Sequence, residues 1–114
     1  MPEVGNMGLP KKLLEKGIKD MVRISDGRMS GTGFGTVVLQ ISPEAADNGN
    51  LVLVQNDDMI ELDAKRRQLN LLVTEAELQR RRASLPEPVN AFHRGYAKLY
   101  VAHVEQAHLG ADFD

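Results

Sequence analysis

Apolar positions along the chain fall into short clusters whose spacing alternates between helical and extended periods. Pro10 stands where the first position of a helix favours proline, Leu13, Leu14 and Ile18 follow near helical spacing, and Gly17 suits the exit. Residues 21–25 read as a short strand, and the apolar run 36–41 as a buried strand or a short helix. Ser42-Pro43-Glu44 resembles a helix start that Asn48-Gly49-Asn50 cuts short. Three strands are predicted at 51–55, 59–63 and 68–73, with turns at 56–58 and 64–67. Leu69, Leu71 and Val73 share one face of the last strand, as a period of two requires. Thr74-Glu75-Ala76-Glu77 is a capping-box pattern that predicts a helix through Arg82, and Pro86 and Pro88 mark a linker. The last helix carries Tyr96, Leu99, Tyr100, His103, Val104 and Ala107 on one stripe, ended by Gly110. This order predicts an α+β fold, a mixed sheet or small β-barrel-like domain flanked by helices.

Length and composition narrow the reading without changing it. At 114 residues, 42% hydrophobic and 26% charged, residues 1–114 are expected to form a single domain. A formal charge of −2 argues against nucleic-acid binding as the main role. With no cysteine, this chain alone holds no disulfide, no Cys-ligated zinc and no thiolate-bound iron–sulfur cluster. The first residues lack the apolar core of a signal peptide, and no 18-residue apolar run occurs. The expectation is a soluble, cytoplasmic domain with no membrane partner.

Candidate chemistry concentrates between Gly27 and Gly35, where four glycines surround Arg28, Met29, Ser30, Thr32 and Phe34. Glycine permits positive φ and close approach of a ligand to the backbone. Exposed N–H groups beside Arg28 suit a carboxylate or phosphate. A tight strand-to-strand connection needs the same glycines for geometry alone, and the local pattern does not choose between the two. Generic templates fail: Arg28 and Thr32 occupy the positions where a nucleophile elbow needs glycine, and no Gly-Lys-Ser/Thr occurs. His103 and His108 are five apart, on different sides of a helix, and His93 stands in the linker region, so all three read as surface or boundary residues. Arg80-Arg81-Arg82 reads as a solvated helix end favoured by the dipole. Tyr96 and Tyr100 are expected on the core face. The carboxylates Glu3, Asp26, Glu44, Asp57, Asp58, Glu61 and Asp63 define no metal site by spacing, and Asp57 and Asp58 read as turn residues.

Several strings together resemble the C-terminal domain of the dihydroxy-acid and phosphogluconate dehydratase family: MPEVGN at the start, KDMVRISDGRMSGTGFGTVVL at 19–39, SPEAA at 42–46 and RGYAKLYVAHVEQAHLGADFD at 94–114. RMSGT and RGYAKLYVAHV are more similar to the sugar-acid (arabinonate- and xylonate-type) branch than to the branched-chain biosynthetic one, although Gly27 stands where that branch has Ala. The resemblance implies a swivelling β/β/α fold and dehydration of a 2,3-dihydroxy acid to a 2-keto-3-deoxy acid. It implies Ser30 as the catalytic base, Arg28, Gly31 and Thr32 near the substrate, and Glu3 as a ligand of Mg²⁺, a hard ion suited to carboxylate oxygen. It also implies a 2Fe–2S cluster whose cysteines lie in an N-terminal domain that has no counterpart here. On this reading the chain is inactive alone, and its partner is that missing domain or a split subunit. The chain is then an isolated domain, a truncated gene product or half of a split enzyme, and its start beside Glu3 favours an interrupted gene or alternative start. Apolar residues such as Met29, Phe34 and Phe92 are expected to be exposed, or covered by self-association in a homo-oligomer. The alternative function is a non-catalytic domain that binds small anions or a partner through the glycine-rich loop.

Overall fold

The structure, a computed structural model, describes residues 6–29, 33–87 and 92–114. Pro10 leads into the one-turn helix α1 (Lys11–Leu14), where its preset φ and missing N–H cost nothing. Gly17 then takes φ 76°. Its N–H donates to the Leu14 carbonyl at 2.9 Å, and the Ile18 N–H reaches the Leu13 carbonyl at 3.0 Å. That pair of bonds is the Schellman closure, which favours glycine because an L side chain resists positive φ.

Strands β1 (Arg23–Ile24) and β2 (Val37–Val38) pair in parallel, with Arg23 opposite Val37 and Ile24 opposite Val38. The ambiguous run 36–41 therefore supplies a strand. Parallel neighbours need a long connection, and the glycine-rich string is that connection.

A cis Ser42–Pro43 bond follows, then 3₁₀ helices at Ala45–Asp47 and Asn50–Leu53. The strand expected at 51–55 is absent: most of it belongs to the second 3₁₀ helix. The Val52 N–H donates to Gly49 O and the Val54 N–H to Leu51 O. This winding turns Leu53 inward, and at 2% exposure it is the one buried hydrophobic residue among the described residues. A short apolar run fits a buried helical turn as well as a strand, so periodicity does not separate them.

Strands β3 (Ile60–Asp63) and β4 (Gln68–Leu71) form the expected hairpin, with Ile60 opposite Leu71 and Leu62 opposite Leu69. Leu69 and Leu71 are half-buried while Gln68 and Asn70 are exposed, as the alternation requires. The two leucines face Ile24, Ile41, Leu51 and Val54 around an apolar cavity of about 110 Å³. This small cluster is the core.

Helix α2 (Glu75–Ala83) opens with Thr74 Oγ1 accepting the Glu77 N–H at 3.3 Å, half of the predicted capping box. The Glu77 carboxylate turns instead to Arg80 and Arg81. The reading of Arg80-Arg81-Arg82 as a solvated end needs correction. Arg81 donates to both Asp58 oxygens, at 2.6 and 3.0 Å, and to the Leu53 carbonyl at 3.0 Å. Arg82 donates to Asn48 O and Asn50 Oδ1, both at 2.8 Å. Two of the three arginines thus fasten α2 to the second 3₁₀ helix and its approach. Asp58 is more than a turn residue, since it also accepts the Gln55 N–H at 2.7 Å.

Hydrogen bonds from Arg80 and then Arg81 lower the Glu77 pKa from 4.5 to about 2, and those from Arg81 lower that of Asp58. A carboxylate depressed in the folded state contributes stability above its unfolded pKa and loses it as pH falls through the folded one. Docking of α2 is therefore expected to weaken between about pH 4.5 and pH 2, seen as faster amide exchange at residues 78–83. Glu77→Gln should flatten this dependence; an unchanged profile in that variant would assign it to other groups.

Helix α3 (Gly95–His103) ends earlier than the stripe predicts. The tail folds back, with Val104 bridging Phe113, the Glu105 N–H on Asp112 O at 2.8 Å and the Asp114 N–H on His103 O at 3.0 Å. A third 3₁₀ helix, Ala107–Leu109, closes at Gly110 with φ 114°. Phe113 meets the Tyr100 ring edge-on at a centroid distance of 5.8 Å and the Tyr96 ring at 6.4 Å. Tyr96 is nonetheless 71% exposed, contrary to its expected core position, because no described residue covers that side of α3. Phe34 and Phe92 are exposed as expected, whereas Met29 is half-buried. The fold mixes α and β, with two separate two-stranded sheets. The barrel-like closure is not formed among the described residues: strands of two and four residues leave both sheets open-edged.

Candidate functional site

The glycine-rich string is anchored at both ends by hydrogen bonds. On the entry side, Ser25 Oγ accepts the Gly27 N–H at 3.0 Å, and the Gly27 carbonyl accepts the Gln40 N–H at 3.0 Å. Gln40 adopts φ 59° to do so, a left-handed conformation uncommon outside glycine, Asn and Asp. Asp26 Oδ2 accepts the Ala45 N–H at 2.7 Å and so ties the entry to the first 3₁₀ helix.

On the exit side, the Asp20 carboxylate accepts the Thr36 N–H at 2.9 Å and the Thr36 hydroxyl at 3.0 Å. These two Thr36 bonds, the backbone one foremost, hold the Asp20 carboxyl below the usual carboxylate range. Gly35 has φ 82°, and a Cβ there would lie 2.0 Å from Asp20 Oδ1. Glycine is needed at this point for both conformation and room.

Of the residues singled out from sequence, Arg28 is described; Ser30, Gly31, Thr32 and Glu3 lie outside the described residues. Arg28 is exposed and lines a cleft of about 380 Å³ with Gln40, Tyr100, Gly110 and Ala111. The fold thus brings the glycine-rich string against α3 and the C-terminal tail. Tyr100 and Gln40 were missed as neighbours of Arg28. No sequence signal marks them, because Tyr100 reads as core and the backbone turn at Gln40 leaves no pattern. Ser42 Oγ lies 2.5 Å from His108 Nδ1, and Gln106 Oε1 accepts the Glu44 N–H at 2.7 Å. These contacts fix the tail beside the cleft. His103 is exposed and pairs with the Asp114 carbonyl at 3.0 Å.

Among the described residues no group of three or more His, Cys, Asp or Glu side chains could hold a metal ion. The sequence has no cysteine for an iron–sulfur cluster. The residues at hand therefore do not fit such a cluster. No helix among the described residues is long and apolar enough to cross a membrane.

The sequence profile of the dihydroxy-acid/6-phosphogluconate dehydratase C-terminal family matches residues 1–111. The chain belongs to this family. It is 58% identical over 114 residues to an L-arabinonate dehydratase of Rhizobium leguminosarum, a match that covers 100% of this chain and 20% of the relative. A 6-deoxy-6-sulfo-D-gluconate dehydratase of Pseudomonas putida is 50% identical over the same length, again with 20% of its own chain covered. A dihydroxy-acid dehydratase of Nitrosomonas europaea is 45% identical over 103 residues, 90% of this chain and 18% of the relative. Similarity is thus greater to these sugar-acid dehydratases than to the dihydroxy-acid dehydratase, in line with the RMSGT and RGYAKLYVAHV strings. The chain spans about a fifth of the length of these family members.

Proposed function

We propose that this chain is the C-terminal part of a hydro-lyase that dehydrates a 2,3-dihydroxy sugar acid to a 2-keto-3-deoxy acid. The observation that carries the reading is its 58% identity, over all 114 residues, to an L-arabinonate dehydratase. In this reading Ser30 Oγ, as an alkoxide, takes the proton from C2. The C3–O bond breaks as the C2–C3 double bond forms. The leaving hydroxide takes up the proton now on Ser30 Oγ and departs as water, which restores the alkoxide. The enol then tautomerises to the ketone by moving its hydroxyl proton to C3. A serine alkoxide needs positive charge close by to exist near neutral pH. Arg28, Gly31 and Thr32 contact the substrate, and Glu3 supplies one oxygen ligand for Mg²⁺. The cluster cysteines and remaining magnesium ligands belong to a partner segment, the N-terminal part of the same dehydratase or a split subunit. The chain alone is inactive.

The test supplies the purified chain with the N-terminal portion of a sugar-acid dehydratase and assays aldonates for 2-keto-3-deoxy acid. Turnover by the pair and none by either part is the expected result. Aldonates or phosphate shifting the amide signals of residues 27–35, with no keto acid formed by the pair, would instead assign a non-catalytic anion-binding domain.

A further inference from the structure

Helix α3 is apolar on nearly every face. Of its nine residues, Tyr96, Ala97, Leu99, Tyr100, Val101 and Ala102 are apolar or aromatic, and Lys98 and His103 alone carry a basic group. A surface helix keeps one strongly polar side, as α2 does with Glu75, Glu77 and its three arginines, whereas a helix that is apolar all round is normally enclosed. Yet α3 has no buried residue among those described. Tyr96, Val101 and Leu109 are 71%, 53% and 60% exposed. These three line a groove of about 720 Å³ bounded by α3, the first 3₁₀ helix and the C-terminal tail. The composition of α3 calls for a cover that the described residues do not supply.

Two observations identify the cover. The first is length: the matching family profile is that of a C-terminal portion, and the match covers 20% of the L-arabinonate dehydratase, so about four-fifths of that relative lies outside it. The second is charge: the charged residues that line the groove are Glu44, Asp47 and Glu105, all acidic. Two copies of this chain paired through this face by a two-fold axis would set acids against acids, which disfavours self-association. We infer that the groove is the docking face for the N-terminal part of the same dehydratase, whose facing surface is apolar at its centre and basic at its edge. The inference rests on the reading of this chain as the C-terminal part of a hydro-lyase. An apolar centre with a charged rim is the usual anatomy of such a contact, in which a few anchored side chains carry most of the binding. Tyr100 lines both the groove and the Arg28 cleft, so the docking face adjoins that cleft.

The test compares amide exchange at residues 99–104 in the purified chain and in the complete dehydratase polypeptide, each over a range of concentrations. Formation of keto acid from aldonates is assayed in parallel. Exchange slowed by at least about 30-fold in the complete polypeptide, and unchanged on dilution, is the expected result. Val101→Glu and Leu109→Glu put a carboxylate into the groove at positions that are exposed in the chain alone, and either should return exchange toward the chain-alone rate. Met59→Glu, at a residue 69% exposed and outside the groove, should leave the protection as in the parent. An equal loss in Met59→Glu would make the effect one of general stability and overturn the inference. Glu105→Lys should cost roughly tenfold of the protection; a gain instead would show an acidic facing surface and overturn the partner's stated chemistry. Equal exchange in the chain and the complete polypeptide, with keto acid formed, would remove the docking face and leave the proposed function standing. Protection that disappears on dilution as an oligomer dissociates would assign the groove to a second copy. Protection gained as expected with no keto acid formed would uphold the docking face and remove the hydro-lyase reading.

Discussion

Replacing Ser30 by alanine is expected to lower turnover of the complete dehydratase by about 10²–10⁴-fold, the usual contribution of a positioned acid or base. Substrate KM should stay close to the parent value. The reason is chemical: alanine removes only the side-chain oxygen that the proposed mechanism uses to accept the C2 proton. The surrounding glycines suit such a base because a backbone without Cβ atoms approaches a substrate carbon closely. Tightness is visible at Gly33, where a Cβ would lie 3.2 Å from Val37 Cγ2 on β2. Ser25→Ala is the matched control, since Ser25 Oγ supports the Gly27 N–H at the loop entry without taking part in proton transfer. It should cost far less activity. Full turnover in Ser30→Ala would remove Ser30 as the base, whatever the control does.

Gly49→Ala is expected to give a large loss of stability. A Cβ at Gly49 would lie 1.8 Å from the Pro43 carbonyl oxygen and 2.8 Å from that of Glu44. Both obstacles are backbone, so no side chain can swing aside. The Gly49 N–H also donates to Glu44 O at 2.8 Å, which holds the two strands of backbone at this distance. Overpacking of this kind typically costs about 1–3 kcal/mol, and here it would strike the turn that leads directly into Leu53, the one buried apolar side chain described. Urea unfolding should show the midpoint falling with the slope unchanged. Gly8→Ala is the comparison, with nothing within 4 Å of its Cβ and no positive φ. Its effect should be within about 1 kcal/mol, of either sign. Equal midpoints for the two variants would show that the Pro43–Gly49 contact is not maintained in solution.

Much of the chain's local structure is legible without coordinates. The exit of α1 at Gly17, the hairpin of β3 and β4 with Leu69 and Leu71 inward, and the Thr74 cap of α2 all follow from short-range rules. Each depends on steric or hydrogen-bonding preferences within a few residues, which the tertiary setting leaves intact at these three places. Family membership is legible for a related reason: the strings around Ser30 and along α3 are specific enough as strings to mark it. The failures share a different cause. The stretch 51–55 winds into a 3₁₀ helix, α3 stops at His103, and Tyr96 stays exposed, each decided by which distant segments do or do not pack there.

The sequence by itself determined the glycine-rich string, the absence of cysteine and the dehydratase family, since these reside in residue identity. Only the tertiary structure decided that Arg81 belongs to Asp58, that Tyr100 stands beside Arg28, and that Arg23 joins Met7 to Phe34. A charged side chain carries no mark of its partner in the sequence. Its partner is set by which carbonyls and carboxylates the folded backbone leaves without a donor.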